Sequence, residues 1–245
     1  MINTLRAYPL MIAWSWLSSR PWLAMLGIVQ IIMPLAFVVG MSFLFPDITP
    51  PIARHLITGT PTLLLLMVGL SVVPSMVAFG RIQGTYDFML SLPVPRMLLL
   101  TSDVTVIFLL TLPGIILALI VGSVFHGFAL QVSPLVVPAF VLISITGTFV
   151  GYAIALALSR PRMTSVATNF LVFFITFFSP VIYPPEQLPG WLAAVHRVLP
   201  IQYMADLSRG TLTDIDVNLG LAFTVTGAWC VAGFVFCYIV MKRRR

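Results

Sequence analysis

Long apolar runs alternate with short polar connections along the whole chain. Six runs stand out, at residues 22–45, 57–79, 98–125, 135–158, 163–181 and 217–241. A helix crosses a bilayer with about 20 apolar residues, so each run is long enough to span. Residues 2–20 differ: Tyr8, Trp14 and Trp16 lie among Arg6, Ser15, Ser18, Ser19 and Arg20. Aromatic rings beside arginines suit the headgroup zone, which predicts an interfacial helix before the first span. A secretory signal peptide is the rival, but Arg20, Pro21 and Trp22 make a poor small-residue cleavage site. Pro74 should kink the second span and Pro113-Gly114 the third. In the fourth, Gly147 and Gly151 have the spacing that permits close helix packing. The expected fold is all-α: a polytopic membrane protein of six transmembrane helices forming one domain over residues 1–245.

Composition agrees. The chain is 60% hydrophobic and 8% charged, with a mean hydropathy of +1.08; soluble domains carry about 25% charged residues. The net charge of +6 does not indicate nucleic acid, because the basic residues cluster at span ends. With both termini inside, Arg6, Arg20, Arg81, Arg96, Arg160, Arg162, Lys242, Arg243, Arg244 and Arg245 are cytoplasmic. Only Arg54, Arg197 and Arg209 are then outside, so 10 of 13 basic residues obey the positive-inside rule. Cys230 and Cys237 share a helical face but lie about 10 Å apart along the axis, too far to bridge each other.

Two connections break the pattern. In residues 81–96, Gln83, Asp87 and Ser91 recur every fourth residue and form a polar stripe on a helix. Tyr86, Met89 and Leu90 fall mostly on the other side, and Pro93 and Pro95 stop the helix. Arg81 and Arg96 flank it on the cytoplasmic side. Such a helix is a surface for another protein to push on, or a loop helix lying passively in the headgroups. Residues 183–210 contain Pro184, Pro185, Pro189 and Pro200 and read as two short helices, about 188–198 and 201–210. Neither can span, so they form an outer re-entrant segment.

Catalytic chemistry is sparse. His55, His126 and His196 lack Cys or carboxylate neighbours at ligand spacing, so no metal site is expected. The span centres hold no Asp, Glu, Lys or Arg to run a proton relay. A phosphate loop needs a lysine after its glycines, and Lys242 is the sole lysine. No catalytic residues are expected, and any ATP must be hydrolysed by a separate chain.

Two stretches carry a resemblance to a known family. Residues 81–96, R-x-x-G-T-Y-D-F-x-L-S-L-P-V-P-R, resemble the segment commonly written E-R-E-x-G-T-x-E-x-L-L-x-T-P-V-x-R in membrane permeases of ABC-2-type (type V) ABC exporters. Residues 179–209, with SPVIYPPEQLPGW and LPIQYMADLSR, resemble that family's proline-rich outer segment. Where the family commonly has acids, this chain has Gly80, Ile82 and Gln83; only Arg81 and Asp87 preserve charge.

The resemblance implies two permease subunits, a homodimer or a pair of related chains, with two ATPase subunits. ATP and Mg would be bound by the ATPases and no cofactor by this chain. It implies a multi-pass protein of a prokaryotic cell membrane that exports a drug-, antibiotic- or lipid-like substrate. Arg81, Gly84, Tyr86, Asp87, Met89, Leu90 and Arg96 would meet the ATPase. Asn169, Phe173, Thr176 and Phe177 on the fifth span, and Met67, Ser71 and Ser75 on the second, would line the pathway; the plainer alternative is that they pack the bundle. Glu186, Arg197, Asp206 and Arg209 are expected to pair with one another in an outer lid. The rival functions are a secondary transporter, against which the absent midplane charges and repeats count, a lipid-modifying membrane enzyme, and a non-transporting assembly factor.

Overall fold

The computed structural model describes residues 4–44, 49–84, 88, 96–158, 161–182 and 184–243. Among them are nine α-helices and no strand. These are α1 (Thr4–Leu44), α2 (Pro50–Met67), α3 (Val73–Ile82), α4 (Arg96–His126), α5 (Val136–Ala157), α6 (Pro161–Phe178), α7 (Gly190–His196), α8 (Pro200–Leu212) and α9 (Leu219–Arg243). Four stretches are long and apolar enough to cross a membrane: Pro50–Gly80, Thr101–His126, Val136–Ala157 and Leu219–Val240. Two shorter apolar stretches, Gly27–Phe43 and Arg162–Phe178, occupy the places of the expected first and fifth spans.

The expected break between an interfacial helix and the first span is absent: α1 is one helix of 41 residues. Its direction nevertheless changes. Tyr8 and Thr105 share a hydrogen bond between their hydroxyls, and the Ser15 hydroxyl donates to Asp103 at 2.6 Å. From Tyr8 to Ser15 the contact point on α4 therefore does not advance. Beyond Ser15 it does, through Gln30 with Thr111 at 2.7 Å and Ser42 with His126 at 2.7 Å. The first turns of α1 cross the base of α4, and the remainder runs beside it. Pro21, which lacks the N–H of a regular helix, lies in the interval where the direction changes. Each interhelical bond of this kind is worth about 0.6 kcal/mol in a membrane. Gly114 adds a close backbone approach, since a Cβ there would strike the Gln30 carbonyl. The helix α4 continues through Pro113.

The second span contains a π-helical turn, Val68–Val72, between α2 and α3. Val73 donates its N–H to the Val68 carbonyl, five residues back. Pro74 is the cause: it has no N–H, so the helix cannot hold its ordinary register through the next residue. The irregularity foreseen at Pro74 is thus a widened turn, and it sits against α5. A Cβ on Gly69 would lie 2.5 Å from the Gly147 carbonyl carbon, and one on Gly151 would strike the Gly69 carbonyl oxygen. Both glycines of the small-residue spacing are in use. Leu56, Ile57, Leu65, Leu70, Ile143, Met204 and Leu207 form part of one buried core joining α2, its π turn, α5 and α8.

Candidate functional site

The helix α6, in the place of the expected fifth span, turns one face outward. Val166, Phe170, Phe173 and Phe177 follow each other at spacings of four, three and four and are more than half exposed. Phe173 and Phe177 stack obliquely with centroids 4.7 Å apart. Asn169 is exposed on the same side, and the Ser71 hydroxyl donates to its Oδ1 at 3.0 Å. The π turn brings this about, because Ser71 lies within it. The π turn and α6 are thereby joined by a polar bond beside a face made of Val166 and aromatic rings. Thr176 contributes less to that face: it is half-buried, and its hydroxyl donates to the Val172 carbonyl at 2.8 Å. Met67 and Ser75 are half-buried.

The segment of residues 81–96 is only partly described. Tyr86, Asp87, Met89 and Leu90 lie outside the described residues. The backbone of Arg81 is in the last turn of α3, and Arg96 begins α4. Gly84 has φ +71° and sits just past the end of α3, a left-handed position that a glycine occupies without a Cβ penalty. Phe88 donates its N–H to the Gly84 carbonyl at 3.2 Å, a helical-type bond opening the next turn. Phe88 itself is 56% exposed.

The proline-rich segment before α9 comprises a short 3-10 turn (Pro185–Gln187), α7 and α8, close to the two helices expected. Its halves differ. Nine of the 13 residues of α8 are buried, while α7 buries only Leu192 and His196. Arg209 is 1% exposed. Its Nη2 donates to the carbonyls of Pro180 at 2.9 Å and Val181 at 2.6 Å, just beyond α6. Its Nη1 meets Asp206 at 3.3 Å. Backbone carbonyls in the turn after a helix have no ladder partner, so a buried guanidinium is a favourable one. Burial raises the Asp206 carboxyl above its ordinary pKa, against the opposing pull of the Arg209 charge.

His196 does for Phe178 what Arg209 does for the next carbonyls: its Nε2 donates to the Phe178 carbonyl at 2.9 Å. Its Nδ1 is buried without a partner among the described residues. Burial lowers the His196 pKa, which the bond to Phe178 partly opposes. The neutral ring protonated at Nε2 fits this place.

The four expected lid charges do not all pair. Asp206 and Arg209 do; Arg197 is exposed and has no ion pair among the described residues, and the side chain of Glu186 is not described. Arg54 meets Asp214 instead, at 3.6 Å between exposed groups. His196 and the Thr62–Ser208 hydroxyl pair, 2.7 Å apart, were missed from sequence. Histidine, threonine and serine are common at span ends, and only the cluster of prolines nearby signalled that the chain folds back here.

A family model described as ABC-2 type transporter matches residues 8–213. A search of curated proteins returned no match.

Proposed function

The chain belongs to the ABC-2 type transporter family, and from that premise we propose that it exports a bulky amphipathic substrate along a path walled by its second and fifth spans. Membership makes it a multi-pass permease subunit of an ABC transporter, working with an ATPase and carrying no ATPase site of its own. The finer reading is a pair of permeases in a prokaryotic cell membrane, driven by two ATPases that bind ATP and Mg. The observation that carries it is the Ser71–Asn169 bond amid exposed Phe170, Phe173 and Phe177. Lipid offers no partner for the remaining amide hydrogens of an exposed asparagine at membrane depth. A second permease or an amphipathic cargo does, and aromatic rings supply the apolar contact.

The test uses the permease purified with its ATPase in lipid nanodiscs, with ethidium and a fluorescent phosphatidylcholine as cargo probes. Asn169→Leu and Phe173→Ala are expected to lower probe-stimulated ATP hydrolysis more than basal hydrolysis. Equal loss of both rates would indicate damaged packing and remove the lining role.

The arginine tally supports an orientation with both termini inside. Single cysteines at Ser18, Ser159 and Gln187, in a background without Cys230 and Cys237, report on it through an impermeant thiol reagent. Ser18→Cys and Ser159→Cys should react from the cytoplasmic side and Gln187→Cys from outside. Reaction of Ser159→Cys from outside alone would overturn this topology.

A further inference from the structure

The outer ends of both pathway helices converge on α8. On one side, Arg209 grips the carbonyls of Pro180 and Val181, at the end of α6. On the other, the Thr62 hydroxyl of α2 meets the Ser208 hydroxyl at 2.7 Å and reaches the Met204 carbonyl at 3.3 Å. The two sides also touch: a Cβ on Gly59 would strike the Val181 carbonyl oxygen, so α2 approaches the end of α6 as closely as backbone allows. Gln131 and Ser133, in the loop before α5, donate their N–H groups to the carbonyls of Leu212 and Thr211. The whole length of α8 is built into the protein.

The preceding part is held differently. Trp191 and Val198 are more than two-thirds exposed. A cavity of about 360 Å³ opens between Phe178 and the stretch Gln187, Leu188, Pro189, Trp191 and Leu192. Three side-chain bonds hold this part: from His196 to the Phe178 carbonyl, from Trp229 Nε1 to the Val198 carbonyl at 3.1 Å, and from the Tyr203 hydroxyl of α8 to the Arg197 carbonyl at 2.9 Å.

We propose that α8 is a fixed strut setting the spacing between the outer ends of the second and fifth spans, with Arg209 as its positioning residue. Any lid motion of the outer segment is then confined to residues 184–199. A guanidinium suits the role: it stays charged when buried, and its two arms divide the work, Nη2 on both carbonyls and Nη1 on Asp206, whereas a lysine has one nitrogen for all three. The proposal rests on the permease reading for what moves, but not for the strut itself.

The test has two arms, both in a background without native cysteines. In the first, Thr62→Cys and Ser208→Cys are combined in the permease–ATPase complex. Hydroxyls 2.7 Å apart place the two sulfurs within reach of a disulfide. The cross-link should form equally without nucleotide and with ATP trapped in a hydrolysis-deficient ATPase, and the cross-linked permease should keep the ATP hydrolysis of a complex with active ATPase. Loss of cross-linking with ATP, or loss of hydrolysis on cross-linking, would overturn a fixed strut.

The second arm uses the permease alone, spin-labelled through Thr49→Cys and Phe178→Cys. Arg209→Lys should broaden the inter-label distance distribution, whereas Asp206→Asn, which leaves the carbonyl grip intact, should not. An unchanged distribution in Arg209→Lys would remove Arg209 from the role. If Arg209→Lys does not fold, the cross-linking arm decides alone. If no ATPase binds the permease, the permease reading fails while the label distances still judge the strut.

Discussion

Gly151→Val is expected to abolish the assembly of α5 against the second span. The carbonyl of Gly69 approaches Gly151 so closely that a single added carbon would strike it, and the same carbon would lie 2.9 Å from the Pro74 ring. Neither obstacle is a flexible side chain. Pro74 cannot donate an N–H to the Gly69 carbonyl across the π turn, and that carbonyl faces Gly151 of α5 instead. The neighbouring Cα–H groups are weak donors to it. Overpacking a well-packed core commonly costs about 1–3 kcal/mol, and a backbone-to-backbone clash lacks the rotamer changes that keep that figure low. The yield of monodisperse protein after detergent extraction, and its melting temperature, measure the effect. Gly227→Val is the control, since nothing lies within 4 Å of a Cβ there. A Gly151→Val protein that purifies and melts like the Gly227→Val protein would show that the two helices do not approach this closely.

Gly151 was readable in the sequence as part of a spacing, but its partner was not. The apolar runs locate the helices because burial in lipid demands length and little else. That demand is indifferent to which helix neighbours which, so Gly69, unmarked in its own run, gave no sign of facing Gly147 and Gly151. Pro74 foretold an irregularity because its missing N–H is a property of one residue. The π register it takes depends on α5 being there to receive the widened turn. The same reasoning separates Asp206 from Arg197. Both are charges near the apolar boundary, and sequence treated them alike. In the fold Asp206 lies one turn before a buried arginine, whereas Arg197 projects outward at the end of α7 and lends only its carbonyl, to the Tyr203 hydroxyl at 2.9 Å. The single helix α1 was read as two because Arg20 and Pro21 interrupt its pattern. A proline removes one hydrogen bond, and neighbouring packing against α4 carries the helix past it.

A Tyr86→Ala/Met89→Ala double variant is expected to lose its ATPase and to uncouple transport while inserting normally. The two side chains lie outside the described residues, and their helical face is argued from spacing. Two observations beside them strengthen the argument. Gly84, with φ +71°, ends α3 and lets the chain turn straight out of the second span. The Phe88 N–H then closes a helical turn onto the Gly84 carbonyl, with the Phe88 ring 56% exposed. Phe88 thus follows closely in sequence on the span that carries Ser71, and the apolar positions Tyr86, Met89 and Leu90 flank it in the chain. A groove on the ATPase can cover those positions, and in the proposed mechanism a push there is passed to the second span. Truncating an anchor in such an interface commonly costs about 2 kcal/mol or more, roughly a thirtyfold weakening or greater. Copurification of the ATPase in detergent measures association, and ATP-driven probe movement in reconstituted vesicles measures coupling. Leu135→Ala, on the far side of the membrane in the proposed orientation, should leave both intact. Normal association and coupling in the double variant would refute the contact and leave this segment a passive helix in the headgroups.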